Sequence, residues 1–495
     1  MPTIGELTSM CKAGNIAEAY EQAAQELKIT PGNIWSQRAM GWVLYYLLKK
    51  NVSENKVNEA LNTLKALNGL TLLRNDDSDM FFNSLAWELG RLAGLIPMDG
   101  FGQMNSLFAA VKAYIFTPSK GYSYFAQQCI KFGKWTQAAE FIEWWGWDSL
   151  LPEDYQKIKL PGREIISLAE RLYIAYARAI LRLADKNRMT DFLPRIKKLA
   201  DTYPKMLYPG YYCAKLMLAL GADREEMQKE VNHFIRQKQS EFWVWSFVSE
   251  MYDNNIDMQL ACLLRATHCK TQEEFLVKVR TKLVYIYLSK GDYPRAKYQL
   301  DTVISTFLRN RWNLSLELNN LSASPWHGQG TVDDSDPFDY LQLTNPILLQ
   351  GTNENVAAVV YVEIGKGYAI VVYEKEKSAK VLLRVLPKNI TYGDLIKIHW
   401  VPKSGQGINV LHSETMKTSS LPGLSYIKVI DGQVIKQAAN PYAFVKGKAS
   451  SCFVSSEQVL RYGLVGGENV SALSVLNYDK KKGNWNWACL QVEKK

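Results

Sequence analysis

The sequence is poor in the residues and motifs that most enzyme sites require. Its five histidines are dispersed over 495 residues, and it has no phosphate-binding loop, GxSxG elbow or HExxH motif. Four aspartates between 333 and 339 lack the glycine and the distal glutamate of a calcium loop. We therefore expect a protein that is not an enzyme and that needs no cofactor and no metal.

Cysteine is sparse and irregularly spaced. The seven cysteines contain no CxxC pair, and Cys262, His268 and Cys269 fit no zinc-binding spacing. An odd number of scattered cysteines is typical of reduced thiols in a cytoplasmic protein. We therefore expect buried, unpaired thiols.

Long apolar runs are missing as well. The first residues have neither the basic nor the apolar region of an export signal, and no run approaches the roughly 18 apolar residues of a membrane span. These absences predict a cytoplasmic location without membrane contact.

Positive charge is concentrated near the end of the chain. Residues 346–495 hold 19 Lys and Arg against 11 Asp and Glu, a balance of +8 out of the +10 of the whole chain. Because residues 346–495 are positively charged and the preceding residues are nearly neutral, a polyanion is favoured as the partner of residues 346–495.

The first 318 residues have helical periodicity. Tyr173, Tyr176 and Ile180 follow the spacing of one apolar helix stripe, and turn-forming residues recur at 30–32, 160–162 and 203–204. This alternation of helix and turn predicts a helical solenoid over residues 1–318.

Three segments share a finer pattern, in which a glycine precedes an alanine by five residues. They begin at Gly14, Gly133 and Gly291. Glycine permits a tight turn between paired helices, and the small alanine lets them approach closely. The pattern resembles the tetratricopeptide repeat, which implies a groove that binds a protein or peptide partner.

Residues 319–345 interrupt the helical pattern. They are rich in turn-forming residues and contain four aspartates but no Lys or Arg. We predict an acidic linker here.

After residue 345 the periodicity changes to two, which predicts β-strands. Two stretches align: Gly393 follows Tyr368 by 25 residues, and Gly467 follows Tyr442 by 25 residues. We interpret them as tandem five-stranded barrels over 346–420 and 421–495.

The second stretch resembles the cold-shock and S1 domains of the oligonucleotide-binding fold. An aromatic strand at 442–445 precedes Cys-Phe-Val at 452–454, a Gly-Glu-Asn-Val turn at 467–470 and a closing strand at 485–492. Asn440-Pro441 replaces the Lys-Gly lead-in of that family, and Ser455 replaces its histidine. We therefore expect a sequence-tolerant surface.

Strand alternation turns Tyr442 and Phe444 to the outer face, where aromatic rings can stack on bases. The predicted nucleic-acid-binding residues of the second barrel are Tyr442, Phe444, Lys446, Lys448, Phe453, Lys480, Lys481 and Lys482. The corresponding residues of the first barrel are Lys366 and Tyr368, but Tyr368 is accompanied only by Ile370, which favours a structural role there. For both barrels, the alternative is that the aromatic rings pack on a neighbouring domain.

The predicted fold is multidomain: an all-α helical-repeat solenoid followed by an all-β region of two small barrels of the oligonucleotide-binding type. The architecture resembles bacterial tetratricopeptide-repeat proteins with S1/cold-shock-like domains from conflict or defence gene clusters. This resemblance implies an adaptor that binds proteins through the repeats and single-stranded nucleic acid, RNA rather than DNA, through the second barrel. The alternative is a protein-interaction scaffold whose barrels pack on partners.

Overall fold

The structure, a computed structural model, describes residues 2–75, 78–329, 331–403, 407–416, 423–479 and 483–495. The chain forms two compact units, Met1–Ser335 and Asp336–Lys495. The first is helical and the second is mainly β, which confirms the predicted order of an all-α region followed by an all-β region.

The helical unit is built from α-helices that pack mainly on their neighbours in the sequence. They are α1 Ile4–Lys12, α2 Ile16–Ile29, α3 Ile34–Ser53, α4 Val57–Asn68, α5 Asp79–Leu95, α6 Phe101–Val111, α7 Lys120–Cys129, α8 Ala138–Trp145, α9 Leu168–Leu183, α10 Lys186–Thr202, α11 Tyr208–Leu220, α12 Arg224–Gln237, α13 Phe242–Glu250, α14 Ile256–Thr267, α15 Glu273–Ser289, α16 Tyr293–Arg309, α17 Leu316–Ser322 and α18 Pro325–Gln329. No helix among the residues described is long and apolar enough to cross a membrane.

The predicted Gly-x-x-x-x-Ala segments lie where paired helices meet. Gly14 lies between α1 and α2, and Gly291 lies between α15 and α16. Ala19 and Ala296, five residues after these glycines, are fully buried. The helical hairpins are therefore present, while their assignment to the tetratricopeptide repeat stays a prediction.

Two segments differ from the helix-and-linker pattern expected. Residues 160–162 connect the short antiparallel strands β1 (Ile158–Leu160) and β2 (Arg163–Ile165) rather than two helices. The segment predicted as linker begins inside α17 and contains α18, and both helices pack on α16. Its residues Leu321 and Trp326 pack against a core that includes Leu300. The short helices form because apolar residues are spaced among the turn-forming ones. The helical unit therefore extends beyond residue 318.

Among the residues described, the second unit begins with α19 (Tyr340–Leu349) and continues with ten strands. They are β3 Asn353–Glu363, β4 Tyr368–Glu374, β5 Lys377–Leu382, β6 Leu395–Pro402, β7 Ile408–Thr415, β8 Ile427–Ile435, β9 Ala443–Gly447, β10 Ser451–Val454, β11 Asn469–Asp479 and β12 Asn484–Lys494, with the helix α20 (Ser456–Arg461) after β10.

The two halves of this unit share one strand order. The second half is a closed barrel with the order β10-β12-β11-β8-β9, and β10 pairs parallel to β12. The first half is a curled sheet with the order β5-β4-β3-β6-β7. Numbered within each half, both sheets contain the neighbours 3-2-1-4-5, which is the topology of the oligonucleotide-binding fold. The predicted pair of small barrels is confirmed at this level.

The predicted landmark glycines occupy equivalent turns. Gly393 N donates to Val359 O at 2.9 Å, and Gly467 N donates to Val434 O at 2.8 Å. In each turn the next residue is acidic, and its carboxylate accepts a hydrogen bond from the backbone N–H three residues earlier. The same backbone conformation recurs, with φ of +91° and +93°. The two halves are therefore structural duplicates.

The two barrels pack on each other through the outer faces of their strands. The inter-barrel cluster combines apolar residues of both halves: Ala358, Val360, Val372, Leu395, Tyr426, Ile427, Leu473, Val475 and Leu490. Tyr392 Oη donates to Cys489 O at 2.8 Å, and Tyr426 Oη donates to Val356 O at 2.6 Å. Each barrel therefore loses part of its outer surface to the other.

The duplicated glycine turns predict a difference between two otherwise matched substitutions. Gly467→Ala meets no neighbouring atom, so only the left-handed backbone conformation opposes it, at about 1 to 2 kcal/mol. A Cβ at Gly393 would lie 2.6 Å from Leu490 O in the other barrel. We expect Gly393→Ala to lower the free energy of unfolding by at least ~1 kcal/mol more, measured by urea denaturation. Equal losses of unfolding free energy in the two variants would contradict the close approach of Gly393 to Leu490 of the other barrel.

Tyr426 gives the unit a predicted pH dependence. Burial raises the pKa of Tyr426 to about 12, above the value of about 10 for an exposed tyrosine. The contribution of the Tyr426 hydroxyl to the free energy of unfolding is complete below pH ~10. It is lost as the pH rises through about 12, because this hydroxyl ionises at lower pH in the unfolded protein than in the folded one. Tyr426→Phe, which loses one hydrogen bond at neutral pH, should therefore approach the wild type in urea stability between pH ~10 and ~12. Parallel stability curves would contradict this assignment.

Candidate nucleic-acid interface

The interior of the second barrel determines which side chains face outward. Ala443 and Val445 of β9 and Cys452 and Val454 of β10 fill the core and are at most 1% exposed. Alternate residues of a strand point to opposite faces. The residues between them, Phe444 and Phe453, therefore lie on the outer face, as the sequence predicted.

Three aromatic rings meet on this face and form what we call the aromatic platform: Tyr442, Phe444 and Phe453. Phe444 and Phe453 lie directly opposite each other on the paired strands, and their ring centroids are 5.7 Å apart. The Tyr442 ring lies 5.9 Å from Phe444 and 5.6 Å from Phe453. Phe444 is 38% exposed and Phe453 is 40% exposed. The second and third strands of the barrel therefore expose an apolar, aromatic surface to solvent.

The platform lines part of a groove of about 1050 Å³. The hairpin of β11 and β12 also lines this groove, with Tyr478, Trp485 and Trp487 among the lining residues. The sequence analysis did not select these three as site residues. The alternation of Trp485 and Trp487 in the closing strand was the available signal, because alternate residues share a strand face.

Basic residues border the platform. Lys446 follows Phe444 by two residues on β9 and is exposed, and Lys448 is exposed in the turn before β10. Lys480, Lys481 and Lys482 lie outside the described residues. Lys428, which was not predicted, lies with its Nζ 4.0 Å from the ring centre of Trp487.

The corresponding face of the first barrel has different residues. Ile370 and Lys380 form the cross-strand pair at the place of Phe444 and Phe453, and Ile370 packs against the inter-barrel cluster. Lys380 Nζ lies 3.9 Å from the centre of the Tyr368 ring and so covers it. Lys366 is exposed in the turn between β3 and β4. The aromatic neighbour of Tyr368 is Tyr361, which is 44% exposed, and their ring centroids are 6.2 Å apart. The first barrel therefore has a pair of tyrosines, one of them covered by Lys380, instead of three rings.

Two thiols lie beneath the platform in the core of the second barrel. A hydrogen bond with Cys489 lowers the pKa of Cys452, and the same hydrogen bond together with burial raises the pKa of Cys489. Cys452 is 1% exposed and Cys489 is fully buried. These groups belong to the core and do not reach the groove.

Metal-binding clusters are missing from the part of the chain that the structure describes: nowhere in it do three or more His, Cys, Asp or Glu side chains converge as ligands. Cys262 is buried in α14, and burial raises its pKa to about 12. All seven cysteines are free thiols.

The comparisons with known proteins agree with the geometry of the second barrel. Residues 428–492 match the S1/CSD-like domain 2 of the TOTE conflict systems. This confirms the predicted resemblance to S1/cold-shock-like domains of conflict systems. Residues 207–344 match a domain of unknown function (DUF7017), which runs from α11 through the segment predicted as linker. No curated protein matches the chain.

Ser455, which follows β10, has a local structural role. Its side chain caps α20 by accepting a hydrogen bond from Gln458 N at 3.3 Å. The capping position explains why serine suits this place. Ser455 therefore adds no ring to the platform.

The platform predicts that substitutions at two neighbouring residues differ in their cost to stability. Phe453→Ser should change the free energy of unfolding by about 1 kcal/mol, because the ring faces the groove. Val454→Ser should cost more than about 3 kcal/mol, because it leaves a cavity and a buried hydroxyl in the core. Thermal or urea unfolding of both variants checks this. Equal losses would contradict the outward orientation of Phe453.

Proposed function

We propose that this chain is a non-enzymatic adaptor that binds single-stranded nucleic acid, RNA in preference to DNA, through the aromatic platform of the second barrel. The observation that carries the proposal is the meeting of Tyr442, Phe444 and Phe453 on the second and third strands. This face binds oligonucleotides in barrels of the same topology. The match to an S1/CSD-like domain supports the same ligand.

The platform suits stacking better than base-specific reading. Every base has a flat aromatic face, so stacking on a ring contributes roughly 1–3 kcal/mol per base with little dependence on sequence. Lys446 and Lys448 border the rings and carry charge that attracts the phosphates. The proposed site therefore tolerates many sequences, and its affinity depends on salt.

The helical unit is proposed to bind a protein partner. Its helices pack on sequence neighbours, as in repeat proteins that use the surface of stacked hairpins for binding. The match to a conflict-system domain supports that setting for the proposed adaptor. One observation favours the alternative of a protein-interaction scaffold. The outer faces of the two barrels bury apolar residues against each other, so such faces can pack on protein.

The direct test is fluorescence anisotropy of the full-length protein with a labelled oligouridylate. We expect binding that weakens steeply between about 50 and about 200 mM salt. Replacing Phe444 and Phe453 together by alanine should weaken it by about 5- to 150-fold or more, because stacking is lost. The matched control is Leu460→Ala on α20, which removes an apolar side chain that is 82% exposed outside the groove and should bind like the wild type.

Three outcomes separate the alternatives. Absence of binding to RNA and to DNA at low salt would overturn the proposed function. Equal affinity for oligouridylate and oligothymidylate of one length would overturn only the preference for RNA. Recovery of one protein partner by a nuclease-resistant pull-down, without oligonucleotide binding, would favour the scaffold.

A further inference from the structure

The helical unit contains a cavity of about 560 Å³ between α10 and the short 3₁₀ helix Pro152–Tyr155. We call it the tyrosine cavity, because Tyr155, Tyr173 and Tyr203 line it. The α10 residues that line it recur every three or four positions and so share one helix face: Asp191, Pro194, Arg195, Lys198, Leu199 and Thr202. Sites for small molecules typically have volumes of about 300 to about 1,000 Å³, so this cavity is large enough for one.

The tyrosine rings give the cavity flat apolar walls. Tyr173 of α9 is only 6% exposed. The rings of Tyr155 and Tyr203 are stacked, with their centroids 4.9 Å apart and their planes inclined by 18°. Aromatic rings attract one another in offset-stacked and edge-to-face arrangements. The tyrosine cavity therefore favours a ligand that has a flat ring of its own.

Contacts outside the cavity hold these walls in place. The Asp154 carboxylate, next to Tyr155, accepts hydrogen bonds from Ser123 Oγ at 2.6 Å and from Leu151 N at 3.0 Å. The ring centroids of Tyr173 and Trp147 are 4.6 Å apart. Side chains that are fixed before binding lose little conformational entropy when a ligand packs on them. The cavity is therefore formed before a ligand arrives.

Arg195 and Lys198 bring positive charge to the rim of the cavity. They lie three residues apart on α10, so they are neighbours on one helix face, and both are exposed. The Arg195 guanidinium carbon lies 5.5 Å from the ring centre of Trp147, which positions the side chain over that ring. Guanidinium and ammonium groups are the usual partners of phosphate in proteins. This end of the cavity therefore suits an anionic group.

Two tyrosine hydroxyls add hydrogen-bond donors near Arg195. Burial raises the pKa of Tyr173; the nearby Arg195 lowers it, and Asp148 has a smaller effect in the opposite direction. Burial also raises the pKa of Tyr155. Both hydroxyls therefore stay protonated at neutral pH and can donate to an anionic oxygen.

Negative charge lies at the other end of the α10 face. Asp191 is one helical turn before Arg195 and two turns before Lys198, which is about 10 Å along the helix axis. A carboxylate repels a phosphate at short range but accepts hydrogen bonds from hydroxyl groups. Neutral hydroxyls of a ligand are therefore favoured near Asp191, and its anionic group is favoured near Lys198.

We propose that the tyrosine cavity binds a nucleoside monophosphate. Its base packs on the tyrosine rings, its phosphate lies between Arg195 and Lys198, and its sugar hydroxyls donate to Asp191. A flat ring, an anion and neutral hydroxyls are the three chemical features for which the cavity has partners. This site goes beyond the proposed function, because it lies in the helical unit and uses no residue of the aromatic platform.

Isothermal titration calorimetry with the 5′-monophosphates of adenosine, guanosine, cytidine and uridine tests the site. The titrations use the full-length protein in which Phe444 and Phe453 are both replaced by alanine, so that stacking on the platform does not contribute. We expect at least one monophosphate to bind. Its parent nucleoside should bind about 3- to 10-fold more weakly, because it has no phosphate for Arg195 and Lys198.

A pair of matched substitutions identifies the cavity as the place of binding. Lys198→Gln should weaken the monophosphate about 3- to 10-fold and leave the nucleoside unchanged. Lys205→Gln removes the same charge from an exposed lysine outside the cavity, so it should bind both ligands like the parent protein. Tyr155→Leu removes a ring from the wall and should weaken the nucleoside and the monophosphate alike.

Three results would overturn the site. The first is that none of the four monophosphates binds at about 5 mM, a concentration that detects dissociation constants in the millimolar range. The second is that Lys198→Gln and Lys205→Gln weaken binding equally, since the effect would then be one of overall charge. The third is that the nucleoside binds as tightly as its monophosphate. Oligouridylate binding by the wild type is measured separately, so each of these results leaves the proposed function of the platform unaffected.

Discussion

The small interior of the second barrel is the constraint on which the candidate site depends. The closed five-stranded sheet is filled mainly by small side chains, which include Ala443, Val445 and Val454. Because successive residues alternate between faces, filling the core with these residues turns Phe444 and Phe453 outward. Cross-strand pairing then brings the two rings together, and the apolar surface results from the packing of the core.

The duplication shows how one fold provides two different surfaces. The glycine turns at 393 and 467 have the same hydrogen bonds and the same backbone conformation, so the two halves share their framework. At the positions of Phe444 and Phe453 the first half has Ile370 and Lys380. Ile370 contributes to the contact with the second barrel. The first barrel therefore uses this face to pack on the second barrel, whereas the second barrel exposes the aromatic platform.

Much of the β region could be predicted because its signals are local. Alternation of apolar residues located the strands, and the repeated Tyr-to-Gly spacing located the duplicate turns. The outward direction of Phe444 followed from the pleat alone. The contact between Tyr478 and Trp485 was not predicted, because these residues become neighbours only through the register of a long hairpin whose bulge lies at Leu473 and Ser474.

The misplaced helical boundaries have a different cause. Turn-forming residues at 160–162 and after 318 mark breaks in a helix, but they do not specify the structure of the next segment. At 158–165 the chain forms a two-stranded hairpin, and after 318 short helices continue on α16. The contacts between the two barrels could not be predicted either. Strand residues that face a neighbouring barrel alternate with the same period of two as strand residues that face solvent.

Ultraviolet crosslinking of a bound oligouridylate to the full-length protein, followed by mass spectrometry of the crosslinked peptides, tests the central claim most directly. The account predicts crosslinks within residues 442–453, which contain the aromatic platform. Crosslinks confined to the helical unit, or to the first barrel around Tyr368, would contradict it.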